Sequence, residues 1–386
     1  MQIDEIAKWV EGLRAGFNSG KTRPLQWRRQ QLEALIRMLE ENADALIAAL
    51  QADLGKPRPE AWAVDVQVIV NETREALRNL GKWNRPKSVS TPLMAQPGRS
   101  AIMRTPLGVV LIIAPWNYPV NLLLAPLVGA LAAGNAVVLK PSELSAHTAG
   151  LLARLIPAYL DPDCVGLMEG GVPETTELLR QRFDHIFYTG NGRVGRVIMA
   201  AAVEHLTPVT LELGGKSPCY VHKDADITTS SRRMVWGKFF NAGQTCLAPD
   251  YCLIHEDVYD EMLEAMTNRI REFYGEDPSK SHSFARIINE RHHHRLCELI
   301  KSGVPVTGGE SDAESRYIAP TILTDVAEDS PVMQEEIFGP ILPVFRVKSV
   351  REAAKFINSR PHPLGLYIFS GNRGVQDELL ENTQSG

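Results

Sequence analysis

The sequence predicts an α/β protein in which an open parallel sheet, covered by helices on both faces, is followed by a second α/β unit. Three observations lead there. Between Leu107 and Leu213 strand-like and helix-like segments alternate, as in parallel sheets built from crossover units. Several of the strand segments are unbroken runs of Val, Leu and Ile, as expected where helices bury both faces of a sheet. After Gly214 the alternation restarts, which puts the head of the second unit near Glu212. A chain of 386 residues is long enough for two or three domains with cores of their own.

The elements follow in order. Ile3, Ile6, Trp9, Val10, Leu13 and Phe17 recur at helical spacing, as do Leu32, Leu35, Ile36, Leu39, Leu46, Ile47 and Leu50. Lys56–Pro59 interrupts, and a third helix runs to about Trp83. Residues 85–106, rich in Pro, Ser and Thr, read as a linker or an extended excursion. From Thr105 to Leu139 there is no charge, yet Pro106, Pro115, Pro119 and Pro126 cut this stretch far below the roughly 20 residues of a spanning helix. It reads instead as strand Leu107–Ala114, helix from Val120 to about Ala133 and strand Ala136–Lys140, in a soluble chain. Helix Ala146–Tyr159, strand Cys164–Gly170, a helix near Glu174–Arg182 and strand His185–Tyr188 come next. A helix over about Val194–Glu204 and strand Pro208–Leu213 complete the first sheet. The second unit opens with helix Thr228–Phe240, strand Tyr251–Ile254 and helix Val258–Tyr274.

Composition excludes several classes. Hydrophobic residues are 44% and charged residues 23%, so the chain is neither disordered nor fibrous. The formal charge of −5 leaves no electrostatic footprint for nucleic acid. Five cysteines make no disulfide framework, and an odd count leaves a free thiol, which fits a reducing, cytoplasmic setting. The first residues carry acids and no apolar block before a cleavage site, so no secretory signal is expected.

Gly190-Asn191-Gly192-Arg193-Val194-Gly195 matches G-x-G-x-x-G between a predicted strand and a predicted helix, the setting in which glycines let a backbone approach a pyrophosphate. A tight turn without ligand has the same spacing. The generic rule would give the ribose to an acid about 20 residues on, and Glu212 stands there. Leu211–Ser217 resembles a phosphate-binding P-loop but has Thr210 where a glycine is needed, which argues against nucleotide triphosphate hydrolysis. Cys246 lies in a small polar loop, Asn241-Ala242-Gly243-Gln244-Thr245-Cys246, the accessible setting a reactive thiol requires, whereas Cys252 lies in an apolar run. Cys164, Cys219 and Cys297 read as core filler. His292-His293-His294 reads as a solvated helix face, because adjacent helical residues point about 100° apart and cannot converge on one metal ion. No metal site and no serine-hydrolase elbow are expected.

Taken together, these residues resemble the aldehyde dehydrogenase superfamily over essentially the whole chain, its class 3 branch most closely. The carriers are Ala114-Pro115-Trp116-Asn117-Tyr118-Pro119, Lys140-Pro141-Ser142-Glu143, the Gly190–Gly195 turn, Leu211–Lys216, Gly243-Gln244-Thr245-Cys246 and Glu335-Glu336-Ile337-Phe338-Gly339-Pro340. The class 3 likeness rests on the short N-terminus, Gly171–Leu179 and Cys246–Tyr251. The resemblance implies a Rossmann-like parallel-sheet cofactor domain (1–84 and 106–211), a β oligomerisation hairpin (85–105) and an α/β catalytic domain (212–386). It implies that Cys246 attacks an aldehyde, that Asn117 and the Cys246 N–H hold the oxyanion, and that Glu212 activates water against the thioester. NAD or NADP would lie against Trp116, Lys140, Ser142, Glu143, Gly190, Gly195, Glu336 and Phe338, with Lys140 and Glu143 on the adenosine ribose and Glu336 on the nicotinamide ribose. The family reads the turn as G-x-x-x-x-G, so Gly192 becomes incidental and Glu212 moves from ribose to catalysis.

The implied substrate is a medium-chain aliphatic or aromatic aldehyde. Two alternatives stand beside it: a CoA-acylating relative, which the presence of Glu212 opposes, and a catalytically silent homologue. Members of this family continue for several dozen residues past the position of Gly386. The expectations are therefore an absent glycine-rich loop, an incomplete catalytic domain, an unpaired hairpin edge and a homodimer only where the C-terminal strand is present.

Overall fold

Residues 2–386 are described by a computed structural model whose contacts divide into two units, Met1–Asp53 with Arg58–Glu212 and Leu54–Pro57 with Leu213–Gly386. The short segment Leu54–Pro57, inside the 1–84 stretch assigned to the cofactor domain by resemblance, thus falls in the second unit. Its backbone explains why: the N–H of Arg286 donates to the Leu54 carbonyl at 2.7 Å.

In the first unit a short antiparallel ribbon, β1 (Lys87–Val89) and β2 (Ser100–Ile102), occupies the Pro-, Ser- and Thr-rich excursion. The main sheet comprises β3 (Val109–Ile113), β4 (Ala136–Lys140), β5 (Val165–Leu167), β6 (His185–Gly190) and β7 (Val209–Leu213), in the order β5-β4-β3-β6-β7. β3 pairs in parallel with β4 and β6, and β4 in parallel with β5. Every residue of β3 and β4 is buried, the state for which uninterrupted apolar runs are suited. β5 is shorter than the predicted strand because Gly170, at φ 150°, turns the chain into the helix Val172–Leu179.

The helices Ile6–Asn18, Leu25–Glu41, Ala43–Leu54 and Val68–Trp83 bury the apolar positions that predicted them, among them Ile6, Leu13, Leu32, Leu35, Leu39, Leu46 and Leu50. Chain order reverses at β3, since β4 and β5 lie to one side of it and β6 and β7 to the other. In such sheets the ligand crevice opens beyond the strand C-termini at this switch. The segments leaving there are Ala114–Tyr118 from β3, Pro141–Glu143 from β4 and Asn191 from β6.

The second unit contains β8 (Pro218–Val221), β9 (Tyr251–His255), β10 (Val304–Thr307), the small ribbon β11 (Ser311–Asp312) and β12 (Tyr317–Ile318), β13 (Thr321–Thr324), β14 (Ile341–Val347) and β15 (Tyr367–Phe369). The six-stranded sheet runs β10-β13-β14-β9-β8-β15, parallel except for β10 at its edge. β9 and β14 are parallel neighbours with Cys252 opposite Val344, so the chain before each strand arrives at the same end of the sheet, the N-terminal ends of its strands. Those two arriving segments carry Cys246 and Glu336–Phe338.

One sequence expectation fails in this unit. The triple histidine is not a solvated face: of the three histidines on the helix Glu290–Ile300 only His294 is exposed, while His293 is buried with its Nε2 at 3.0 Å from the Tyr317 carbonyl. Burial, then Arg295 and Arg291, pushes the His292 imidazole down to about 4. Among the described residues no group of three His, Cys, Asp or Glu could hold a metal ion. Cys164 and Cys219 are buried, and Cys297 is half-buried and packs against the core of this unit, as filler would.

Gly134 ends the helix Asn121–Ala133 in the left-handed conformation (φ 86°) and hands the chain to β4. A Cβ there would lie 2.5 Å from the buried Arg28 guanidinium, which donates to the Ala132 and Thr22 carbonyls. Gly134→Ala is expected to cost about 2 kcal/mol or more, from the left-handed backbone and the displaced arginine, and to lower the unfolding midpoint followed by circular dichroism. An unchanged midpoint would refute this account of the turn.

Candidate active site

Asn117 lies on the loop leaving β3 and is almost fully buried, with Trp116 half-buried beside it. The helix that follows is anchored at its start. The Asn121 N–H donates to the Asp65 carboxylate at 3.3 Å and its side-chain amide to the Val64 carbonyl at 2.8 Å. Asp65 and Val64 belong to a widened π-helical segment, Trp62–Gln67, a distortion that lets a neighbouring chain reach backbone carbonyls.

Lys140 ends β4 with its side chain 3% exposed, donating to the Pro141 carbonyl at 2.7 Å and lying 3.8 Å from the Glu143 carboxylate. Burial lowers its pKa, while Glu143 and Glu174 oppose the shift. Ser142 accepts the Leu144 N–H at 3.2 Å and shapes this loop, leaving Glu143 exposed. At the next strand end, Asn191 caps the helix Gly192–Val203 by accepting the Val194 N–H at 3.0 Å. Gly190 has a steric reason to be glycine, because a Cβ there would lie 2.2 Å from the Tyr188 hydroxyl. At Gly192 a Cβ meets only ordinary contact, 3.8 Å from Arg196, so this middle glycine is not required by packing. Gly195 is buried on the inner face of the helix. Glu212, near the end of β7, is exposed.

In the second unit Cys246 is half-buried, at the end of a loop held in unfavourable backbone. Asn241 and Ala242 both adopt the left-handed region, at φ 51° and 52°, which costs non-glycine residues about 1 kcal/mol each. The fully buried Gln244 offsets that cost: its amide donates to the Asn241 and Arg286 carbonyls, both at 3.0 Å, and its oxygen accepts the Ile288 N–H at 3.0 Å. Gly243, at φ 72°, brings this loop against the next one, since a Cβ would lie 2.2 Å from the Gly339 carbonyl. Phe338 is itself left-handed, at φ 51°.

A buried ion pair that sequence reasoning missed ties these loops together. The Lys216 ammonium donates to the Asp250 carboxylate, to the Val332 carbonyl at 2.8 Å and to the Glu335 carbonyl at 2.9 Å. Asp250 in turn accepts the Ile337 N–H at 3.0 Å. The only sequence signal was the lysine of the imperfect P-loop, which belongs to a structural clamp. Glu336 follows Glu335 with its Oε1 buried and unbonded, and the Gly215 N–H donates to its carboxylate. Burial and then Asp250 push this carboxyl up to about 8. A buried acceptor lacking a donor suits a sugar hydroxyl, so the donor set of each unit fits part of a dinucleotide.

The first unit therefore has the sheet order and strand-end polar groups of a dinucleotide-binding fold, and the second presents a thiol on a rigid loop. The chain belongs to the aldehyde dehydrogenase family, whose model matches residues 2–386. It is 52% identical over 384 residues to the mouse "Aldehyde dehydrogenase, dimeric NADP-preferring", covering 100% of this chain and 85% of that protein. It is 50% identical to "Aldehyde dehydrogenase family 3 member A2" of Macaca fascicularis, over 98% of this chain and 78% of that one. Among solved structures, "Substrate bound state of Staphylococcus Aureus AldH" superposes with a TM-score of 0.97 at 42% identity, over 100% of this chain and 84% of that one. The class 3 resemblance read from the motifs thus holds, and the chain is an oxidoreductase of aldehydes.

Asp250→Ala would leave the buried Lys216 ammonium without its counter-ion. It is expected to cost about 3–5 kcal/mol, visible as a lower unfolding midpoint in denaturant. Wild-type stability in this variant would refute the clamp.

Proposed function

We propose that the chain oxidises an aldehyde to the carboxylic acid with NAD or NADP, through a covalent adduct on Cys246. The observation that carries the reading is the Cys246 loop, because a strained backbone anchored by three Gln244 hydrogen bonds around a half-buried thiol suits a preorganised nucleophile rather than core filler. As thiolate, Cys246 attacks the carbonyl carbon and forms a thiohemiacetal. The oxyanion is received by the Asn117 amide and the Cys246 N–H, donors that each contribute a few kcal/mol to such barriers. The bound nicotinamide supplies a two-electron acceptor for the hydrogen leaving that carbon. Glu212 then takes a proton from the water that attacks the resulting thioester, releasing the acid and the thiol. Lys140 and Glu143 would serve the adenosine ribose, Ser142 shapes their loop, and Trp116, Gly190 and Gly195 would border the same nucleotide. Glu336 would receive the nicotinamide ribose, and Phe338 would pack beside the ring.

Apolar surface on the thiol-bearing segment supports a medium-chain aliphatic or aromatic aldehyde. Trp236 is exposed and packs on Phe240 with ring centroids 5.4 Å apart, and Leu247 is exposed directly after Cys246. A second copy of the chain is the proposed partner. The helix Gly192–Val203 and the residues after it leave Val197, Met199, Val203 and Leu206 exposed, and the ribbon exposes Leu93 and Met94. Five free cysteines support a reducing, cytoplasmic setting. No described helix is long and apolar enough to cross a membrane.

Cys246→Ala is expected to abolish cofactor reduction with an aldehyde such as benzaldehyde, and Asn117→Ala to lower kcat by about 10²–10³-fold. Glu212→Gln should release a single stoichiometric burst of reduced cofactor and then stall at the thioester. Sustained turnover by Glu212→Gln with weakened cofactor binding would instead make Glu212 a ribose ligand and sink the assignment.

A further inference from the structure

The helix Ala146–Tyr159 begins directly after the Lys140–Glu143 loop, and it is capped from elsewhere in the chain. Ser145 holds the capping position, where a serine hydroxyl ordinarily accepts an N–H of the first turn, but here it accepts none. Those amides go instead to Asp53, near the end of the helix Ala43–Leu54. The His147 N–H donates to its Oδ1 at 3.0 Å and the Thr148 N–H to its Oδ2 at 2.9 Å. The Thr148 hydroxyl donates to Oδ2 at 2.7 Å, and the His147 Nδ1 lies 2.8 Å from Oδ1. Four partners thus converge on one carboxylate whose side chain is 3% exposed. Only an ionised acid accepts from all of them, and a helix N-terminus favours its charge. With its capping role taken over, the fully buried Ser145 turns its hydroxyl back into the loop. It donates to the Ser142 carbonyl at 3.3 Å, while Ser142 Oγ accepts the Leu144 N–H.

We propose that Asp53 is a positioning residue for the cofactor: by capping this helix from a distant part of the chain, it frees Ser145 to brace the Lys140–Glu143 loop in the shape that receives the adenosine ribose. This role rests on the assignment of Lys140 and Glu143 to that ribose. Only Pro141–Ser145 separates the buried Lys140, at the end of β4, from the first helical residue. The loop is therefore pinned at both ends, by the sheet at Lys140 and by Asp53 at His147 and Thr148, with Glu143 exposed between them. A loop held in this way meets the nucleotide already shaped, so binding loses little ordering entropy. Without the Asp53 carboxylate, Ser145 returns to its own helix as cap and the brace on Ser142 is lost. The effect falls on cofactor affinity, and aldehyde oxidation at saturating cofactor is spared.

The test is equilibrium binding of NAD and NADP by titration calorimetry, with thermal melts, kcat and the benzaldehyde KM at saturating cofactor measured beside it. Asp53→Asn keeps the size of the side chain but turns an NH2 group towards donors. It is expected to bind both cofactors about tenfold more weakly and to hold kcat and the benzaldehyde KM within about twofold. Ser145→Ala leaves the Asp53 bonds in place and is expected to weaken cofactor binding about fivefold, with kcat unmoved. Adding Ser145→Ala to Asp53→Asn changes binding no further, since the brace is already gone. Wild-type affinity in Ser145→Ala would overturn the proposal, even where Asp53→Asn does not fold. Additive losses in the double variant would overturn it as well, as would a fall in kcat as large as the loss of affinity, the mark of a purely structural cap. If Lys140→Met and Glu143→Gln both bind cofactor like wild type, the ribose assignment itself fails.

Discussion

The site depends on one buried ion pair. Lys216 and Asp250 are distant in sequence, yet between them they hold three segments, and each segment carries chemistry. Lys216 follows the Gly214–Gly215 turn, Asp250 follows Cys246 by four residues, and the carbonyls and amide they bind bracket Glu336. An ion pair in such a place is a poor source of stability, because desolvation offsets most of the attraction. Its value is register. Each charge needs the other, so the loop bearing the thiol and the loop bearing Glu336 and Phe338 cannot slide independently. Gly243 completes the arrangement by bringing the backbones of those two loops into contact.

Register of this kind explains why the strained backbone sits where it does. Asn241, Ala242 and Phe338 are all left-handed without being glycine. Strain persists where surroundings over-determine a conformation, and here Gln244 fixes one loop while Lys216, Asp250 and Arg295 fix the other. Arg295 donates to the Glu335 carboxylate at 2.8 Å and to the Ile337 carbonyl at 2.6 Å. The residues in between have little freedom left, which is the condition for the precise placement that the proposed roles of Cys246 and Phe338 require.

Much of the fold was legible because its signals are local. β3 and β4 announce themselves as apolar runs, Gly134 as a helix stop, and the N-terminal helices by their period. Gly190 was read as a nucleotide-turn glycine, and its immediate reason is the Tyr188 hydroxyl folding back over it. The clamp was not legible, because its cost and its benefit are both tertiary. Lys216 looked like part of a failed P-loop, and Asp250 was only one residue of the Cys246–Tyr251 stretch that carries the class 3 likeness. His293 misled for the same reason. Adjacent histidines on a helix do point apart, but that argument says nothing about which of them meets the Tyr317 carbonyl across the fold.

Burial of charge also separates the two units chemically. In the first, Lys140 is buried beside carboxylates that remain partly or fully exposed, so its charge is met by groups free to move with a ligand. In the second, the Lys216 ammonium and the Asp250 carboxylate are enclosed together in direct contact. A flexible acid beside a fixed cation tolerates variation in what it holds, which suits a family whose relatives differ over NAD and NADP. An enclosed ion pair tolerates little variation, which suits loops that must hold Cys246 and Glu336 in one arrangement.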